Sequence, residues 1–337
     1  MDRRMKLRQA IGHLFQRFSL AMMTVIMVII FAVVNDNFLT LSNLQNILEQ
    51  NAALAIVAVG VTFGIISRVL DLSPGSAIAL SSVVIGLAFR ATNNIVIALI
   101  AGFAATLSIG LFNGILIAKS DINPVIVTLA AYIWARGLAL ALTEKASIVI
   151  QSPLVGFMND RFLGLISPPM VLILLAYLLG SLLLNKTRLG RYTYAIGGDE
   201  LATKEAGVRT DLYKIGIFLF SGFLVGIASV ITMARMGAAE PNAVFGLELD
   251  AIVAVIIGGN KLAGGEGGLR MTIFGVLFLA LLNNGLSTMG LRDAYFYFYK
   301  GMVILIALFV EVTSRRMLAE TMPTASAAKE ISSQLLR

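Results

Sequence analysis

"SRVLDLSPGS", residues 67–76, places two charged residues, Arg68 and Asp71, and the helix-hostile pair Pro74-Gly75 inside a long apolar part of the chain. Composition decides what such a break means. The chain has 337 residues, 58% of them hydrophobic and 13% charged, with a mean hydropathy of +0.88. A soluble domain carries roughly 25% charged residues, and half that value spread over repeated apolar runs leaves no water-facing surface. The chain reads as an integral membrane protein. With no Cys, disulfides, thiolate metal sites and thiol nucleophiles are excluded.

The formal charge is +7, but the basic residues sit at the edges of apolar runs and not on one amphipathic face, which argues against nucleic acid and for membrane orientation. Arg3, Arg4, Lys6, Arg8 and Arg17 precede the first run. Lys186, Arg188, Arg191, Lys204, Arg209 and Lys214 fill a central polar segment, and Arg315 and Arg316 follow the last run. The positive-inside rule puts all three groups in the cytoplasm. Phe18 to Val34 leads into Asn35-Asp36-Asn37 without a small-x-small cleavage site, so it reads as a retained helix. His13, in the basic leader, reads as a solvated bystander.

Further apolar runs lie near 51–67, 75–90, 95–118, 123–142, 169–185, 213–235, 249–259, 271–290 and 296–313, ten in all. The expected fold is an all-α polytopic membrane protein of about ten transmembrane helices. It divides into a cytoplasmic basic leader (1–17), one transmembrane domain (18–313) with a cytoplasmic loop at 186–212, and a cytoplasmic tail (314–337). Runs 75–90 and 249–259 are too short to cross as straight helices and are expected to be tilted, broken or re-entrant. An even count starting inside ends inside and also places 186–212 inside, while 35–50, 143–168 and 236–248 face outward. Pro153, Pro168 and Pro169 mark 143–168 as ordered loop. Tyr295 to Tyr299 read as an interfacial aromatic belt.

"AIVAV" occurs at 55–59 and again at 251–255, each time before a Gly-containing break, and Asn113-Gly114 echoes Asn284-Gly285. Two readings stand: a two-fold internal repeat with a midplane pathway, or coincidence among residues common in membrane helices. Non-helical backbone inside a bilayer must be satisfied by protein or water. Asp71 and Ser73 can accept the N–H groups freed around Pro74 and cap the helix that begins there. The alternative is a short cytoplasmic turn between ordinary spans. The i, i+3 spacing predicts an Arg68–Asp71 pair. Asn113, Gly114, Asn284 and Gly285 are pathway candidates, since amides and bare backbone bond hydroxyls without the desolvation cost of a charge. For Arg136, near the outer end of its span, snorkelling is the plainer expectation, and for Glu248 and Asp250, helix capping.

Three motifs carry a family resemblance: "DLSPGS" after "VGVTFGIIS", "TRLGRYTYAIGGDELATKEAGV" at 187–208, and "GLELDAIVAVIIGGNKLAGGEGG" at 246–268. With them, over about 20–315, the chain resembles the permease subunits of bacterial ABC importers for ribose and related monosaccharides, in the superfamily shared with branched-chain amino-acid permeases. Arg68-Val69 stands where that family usually has two glycines, and Lys261 where it has a small polar residue.

The resemblance implies a pathway for a monosaccharide or similar polar solute delivered by a periplasmic binding protein. It implies an inner-membrane location, a second permease that is a copy or a paralogue, and a partner ATPase holding ATP and Mg. It also implies that 186–212 carries a coupling helix docking on that ATPase. "ELATKEA", opened by Asp199-Glu200 and ended by Gly207, suits a short helix, so Asp199, Glu200, Lys204, Glu205 and Gly207 are the candidate coupling residues; without the resemblance a solvated topology-setting loop remains open. The chain has no G-x-x-x-x-G-K-[ST], no Ser-His-Asp set and no His-x-x-x-His. No catalysis, metal or cofactor is expected on it. The readings from other classes are a secondary transporter, which needs a mid-span coupling acid, a membrane scaffold or receptor, and a permease of the same superfamily for amino acids, nucleosides or a sugar-like signal molecule.

Overall fold

The computed structural model describes residues 20–120 and 122–321, so the leader 1–17 with His13 and most of the tail 314–337 lie outside the described residues. The helices are α1 (Leu20–Val34), α2 (Leu41–Gln50), α3 (Ala52–Ile66), α4 (Pro74–Thr92), α5 (Ile95–Lys119), α6 (Pro124–Thr143), α7 (Pro153–Asn159), α8 (Pro168–Lys186), α9 (Arg188–Gly198), α10 (Glu200–Glu205), α11 (Thr210–Met236), α12 (Leu247–Ile257), α13 (Leu269–Thr288) and α14 (Asp293–Thr321). The described chain is not wholly helical: β1 (Ile148–Val149) and β2 (Ala238–Ala239) pair antiparallel, Ile148 opposite Ala239.

Six helices, α4, α5, α6, α8, α11 and α13, are long and apolar enough to cross a membrane. α2 and α3 together form a bent seventh candidate, kinked by 47°, and α1 and Ala294–Val310 are shorter apolar helices. The run at 75–90 corrects the expectation of a short or broken span. Pro74 at the first helical position supplies a preset φ and lacks only an N–H that would have no helical partner, so α4 runs unbroken for 19 residues, about 28 Å at 1.5 Å per residue. The irregular backbone precedes it. α12, with 11 residues, is short as expected and spans only about half a hydrocarbon core.

Two compact units result, Leu39–Ala280 and a second built from Met1–Phe38 with Leu281–Arg337. In the larger unit α11 packs on α5, α3 and α4. Small residues permit the α5–α11 approach: a Cβ at Gly110 would meet Phe218 O at 2.5 Å, and one at Gly222 would meet Thr106 O at 2.8 Å. Ser81 Oγ bonds to Gly102 O (3.0 Å) and Ser229 Oγ (2.7 Å), tying α4 to α5 and α11.

Residues 187–209 join the C-terminus of α8 to the N-terminus of α11, and 144–167 with 237–246 lie at the other ends of those helices, where Ile148 pairs with Ala239. At that second end Pro153 and Pro168 begin helices α7 and α8 and do not mark loop, a correction explained by the same tolerance of proline at a first turn. Arg161 clamps α2 there, its Nε 2.8 Å from Glu49 Oε1 and its Nη1 2.9 Å from Gln45 Oε1. In the smaller unit Phe31 of α1 stacks at 5.4 Å on Phe38 and packs on Gly285 of α13.

Candidate functional site

α3 ends in a reversed turn: Val69 N–H donates to Gly64 O (2.9 Å) and Arg68 N–H to Ile65 O (3.1 Å). This is the Schellman pattern, whose penultimate position takes a left-handed backbone and favours glycine. Arg68 holds it, at φ 61°. The Arg68–Asp71 pair is not formed. Arg68 is exposed and its Nε donates to Ala263 O, because the left-handed turn swings the side chain away from the break. Asp71 is buried, and its Oδ1 accepts Ser73 N–H (2.9 Å) and Ser73 Oγ–H (2.6 Å). Ser73 Oγ in turn accepts Asn113 Nδ2–H at 3.2 Å. Ser73 caps α4 by position without a side-chain bond; Asp71 supports it from two residues back. Pro74 and Gly75 form the first turn of α4.

The 186–212 segment is α9 and α10. Asp199 caps α10, its Oδ1 accepting Ala202 N–H at 3.0 Å, and Gly207 ends it at φ 83° with Val208 N–H on Thr203 O at 3.3 Å. Glu200 Oε1 lies 2.6 Å from Lys214 Nζ and 3.0 Å from Lys204 Nζ. Burial opposes ionisation of Glu200, but the two lysines outweigh it and hold the carboxyl below the ordinary glutamate range. Glu205 and Leu201 are exposed. Beside α10 opens a cleft of about 840 Å³ lined by Arg68, Lys119, Asn123, Glu200, Lys204 and Lys214, among others.

This segment touches both breaks. A Cβ at Gly197 would come 1.7 Å from Ile66 O and 2.6 Å from Gly265 N; Gly265 N–H itself donates to Ile66 O at 2.8 Å. Tyr194 Oη donates to Gly267 O at 2.9 Å. The end of α3, the end of α9 and the Gly-rich 258–268 loop thus meet in backbone contact. Lys261 is paired with Glu266 at 2.5 Å within that loop.

Asn113 is fully buried, and Gly114 packs on α11, where a Cβ would meet Ile215 Cα at 3.0 Å. Asn284 is buried in the smaller unit, with Gly285 against Phe31. Both glycines occupy helix-packing positions. Arg136 does not snorkel: it is 8% exposed, and Nη1 donates to Pro241 O (2.8 Å) and Ala243 O (3.0 Å), carbonyls that a re-entering chain presents to it. Glu248 does not cap its own helix. Gly246 is the N-cap of α12, and the Glu248 carboxylate lies over Gly75, where a Cβ would come 2.0 Å from Oε2. Sequence reasoning missed that contact and also Asn260, whose Nδ2 bonds to Val255 O (2.9 Å) and Thr272 Oγ1 (3.1 Å) while Oδ1 accepts Gly268 N–H (2.6 Å). The signal available was an amide between Gly258-Gly259 and a run of glycines that have no side chains to close their own turns.

A protein family described as "Branched-chain amino acid transport system / permease component" matches residues 43–308. The ribose import permease protein RbsC of Escherichia coli K12 is 36% identical over 303 residues, covering 88% of this chain and 94% of that one. The RbsC of Bacillus subtilis 168 is 38% identical, covering 85% and 89%, and the D-allose transport system permease protein AlsC of Escherichia coli K12 is 31% identical, covering 82% and 85%. No solved structure matches the chain. With the match running from α2 into α14 and relatives aligned over nearly their whole length, the chain belongs to the permease-component family of branched-chain amino acid transport systems.

Proposed function

We propose that this chain is the transmembrane subunit of an ATP-driven importer for a monosaccharide or a similar small polar solute, working with a partner ATPase, a periplasmic binding protein and a second permease in the inner membrane. The ribose, arabinose, xylose and allose permeases among its relatives support the solute class. In this reading the ten apolar runs cross or enter the membrane with α12 as a half-span, both termini face the cytoplasm, and α10 docks on the ATPase through its exposed Leu201 and Glu205. The observation that carries the coupling role is the Gly197 contact, which sets the polar α9–α10 segment directly against the end of α3 and the 258–268 loop that follows α12, so that movement of α10 is passed to both breaks. The ionic tie from Glu200 to Lys214 would pass it to α11 as well.

The test is reconstitution with the adjacent-gene ATPase and binding protein in liposomes. Solute-stimulated ATP hydrolysis with sugar uptake is expected. Uptake driven by an ion gradient without the ATPase would replace this reading with a secondary transporter.

A further inference from the structure

Around the first turn of α4 lies a group of buried polar atoms whose hydrogen bonding the fold leaves incomplete. Ser76 Oγ, Arg136 Nε and Nη2, Glu248 Oε2 and Asn113 Oδ1 have no partner of standard geometry among the described residues. Ser76, Arg136 and Glu248 are all more than nine-tenths buried. Arg136 and Glu248 lie within electrostatic reach of each other yet form no ion pair. Two ionisable side chains left partly unpaired in a low-dielectric interior are costly, and a direct pair would remove most of that cost. The chain instead holds them apart, Arg136 by Pro241 O and Ala243 O, and Glu248 over Gly75, which is bare enough to admit the carboxylate.

The holding segment is strained. Val244 sits at φ 47°, a region that a β-branched residue rarely adopts, and Gly246 follows at φ 81°. Strain of this kind persists where surrounding contacts over-determine it and clusters at ligand clamps. Beside it, the largely exposed Phe245 ring lies 5.9 Å from the Arg136 guanidinium.

We infer that Arg136, Glu248 and Phe245 form a recognition site for the hydroxyl groups of the carried solute, reached through the 241–246 segment. A hydroxyl both donates and accepts, so a neighbouring pair of them can take N–H bonds from Arg136 Nε and Nη2 and give one to Glu248 Oε2, with Ser76 Oγ serving a third group. The opposed charges cancel, which suits a neutral polyhydroxylated molecule. A lone anion would face Glu248 and a lone cation Arg136. Phe245 offers a flat apolar surface to the C–H face of such a solute. This rests on the importer reading and names the residues that select its solute.

The experiment uses the complete importer in liposomes with labelled D-ribose and 2-deoxy-D-ribose, which lacks one hydroxyl. A site that bonds hydroxyls rejects the analogue without one, so wild type should favour ribose in kcat/KM. Glu248→Gln and Arg136→Lys should each lower that preference about tenfold or more, from lost hydrogen bonds to charged groups. A structural role would reduce uptake of both sugars by a common factor, and an unchanged preference overturns the inference. Should those variants not fold, Phe245→Leu, which leaves the ionic groups in place, is expected to raise KM for both sugars several-fold with kcat and the preference kept; an unchanged KM overturns the inference. Failure of wild type to take up ribose, arabinose, xylose or allose with both partners present is the separate outcome that removes the importer reading and this site with it; where one of the other three is carried, the same comparison is made with that sugar and its deoxy analogue.

Discussion

The two helices that carry the repeated "AIVAV", α3 and α12, end with the same backbone device made from opposite materials. α3 closes at Arg68 (φ 61°) and α12 at Gly259 (φ 113°), where Asn260 N–H reaches Val255 O at 3.2 Å. Beyond α3 the chain is satisfied by a carboxylate, Asp71, within its own turn. Beyond α12 it is satisfied by an amide, Asn260, that reaches across to α13 through Thr272. The break after α3 is thus closed chiefly by its own carboxylate, with single bonds from Asn113 of α5 and Thr128 of α6, while the other is closed by an amide sewn to a neighbouring helix. The echo does not mark equivalent geometry either, because Arg68 lies nine positions after Val59 and Gly259 only four after Val255. A one-carboxylate turn can be altered with local consequences, whereas the glycine loop transmits any change to α9 and α13.

The sharpest way to break this comparison is at the point where the two ends touch. Gly197→Ala puts a methyl 1.7 Å from Ile66 O, and neither contact atom belongs to a movable side chain. Overpacking of this kind costs about 3 kcal/mol or more, read as loss of monodisperse protein or a large fall in Tm in detergent. Gly198→Ala, where a Cβ meets nothing within 4 Å, is expected to change stability by about 0.5 kcal/mol at most. Equal behaviour of the two variants would show that the junction is not tight.

Next in size is the contrast between the satisfying side chains. Asn260→Leu removes three bonds and leaves buried groups on both sides of the loop, at a cost of about 2–3 kcal/mol. Asp71→Asn keeps the acceptor for Ser73 N–H and should lose about 1 kcal/mol or less, with Asp71→Ala falling between the two. If Asp71→Asn proves the more damaging, the break after α3 is not locally closed.

Much of this was legible in the sequence. Each of the ten apolar runs falls on a helix, and Asp199, "ELATKEA" and Gly207 form the capped short helix their chemistry suggests. Span count and pairing were less legible, for a physical reason: a local pattern specifies periodicity and caps, but not which backbone approaches from elsewhere. Pro74 read as part of a break because its effect depends on which side of it the helix lies. Arg136 read as snorkelling because the carbonyls of Pro241 and Ala243 re-enter from more than a hundred positions away. Arg68–Asp71 spacing suited a helix, and the left-handed turn between them cancelled that geometry.

A smaller effect separates the buried breaks from the wet ionic tie beside them. Glu200 is held below its usual range in the folded protein by Lys214 and Lys204, so its contribution to stability is complete above the unfolded value of about 4.3 and is lost as pH falls through the lower folded value. Between about pH 5 and 3 the Tm of wild type should therefore fall more than that of Glu200→Gln. Parallel curves would mean that the tie contributes nothing. Since Glu200 binds α11, reversing its charge should weaken the α10–α11 contact as well as any docking, while reversal at the exposed Glu205 should affect coupling to the ATPase alone.

The smallest expected change concerns Arg68, where two effects oppose each other. Arg68→Gly relieves a left-handed backbone worth about 1–2 kcal/mol for a residue with a Cβ. It gives up the bond from Nε to Ala263 O, about 0.5–1.5 kcal/mol and less where water competes, and adds chain entropy to the unfolded state, about 0.5–1 kcal/mol. The net should lie within about 1 kcal/mol of zero, a flat result by itself that gains meaning in combination. Because the Arg68 side chain leaves toward the 258–268 loop while Asp71 turns into its own Ser73, Arg68→Gly and Asp71→Asn should add in the double variant to within about 0.5 kcal/mol. A coupling above about 1 kcal/mol in detergent Tm series would mean that the two charges meet after all, and that the break after α3 is held by an ion pair instead of a single carboxylate.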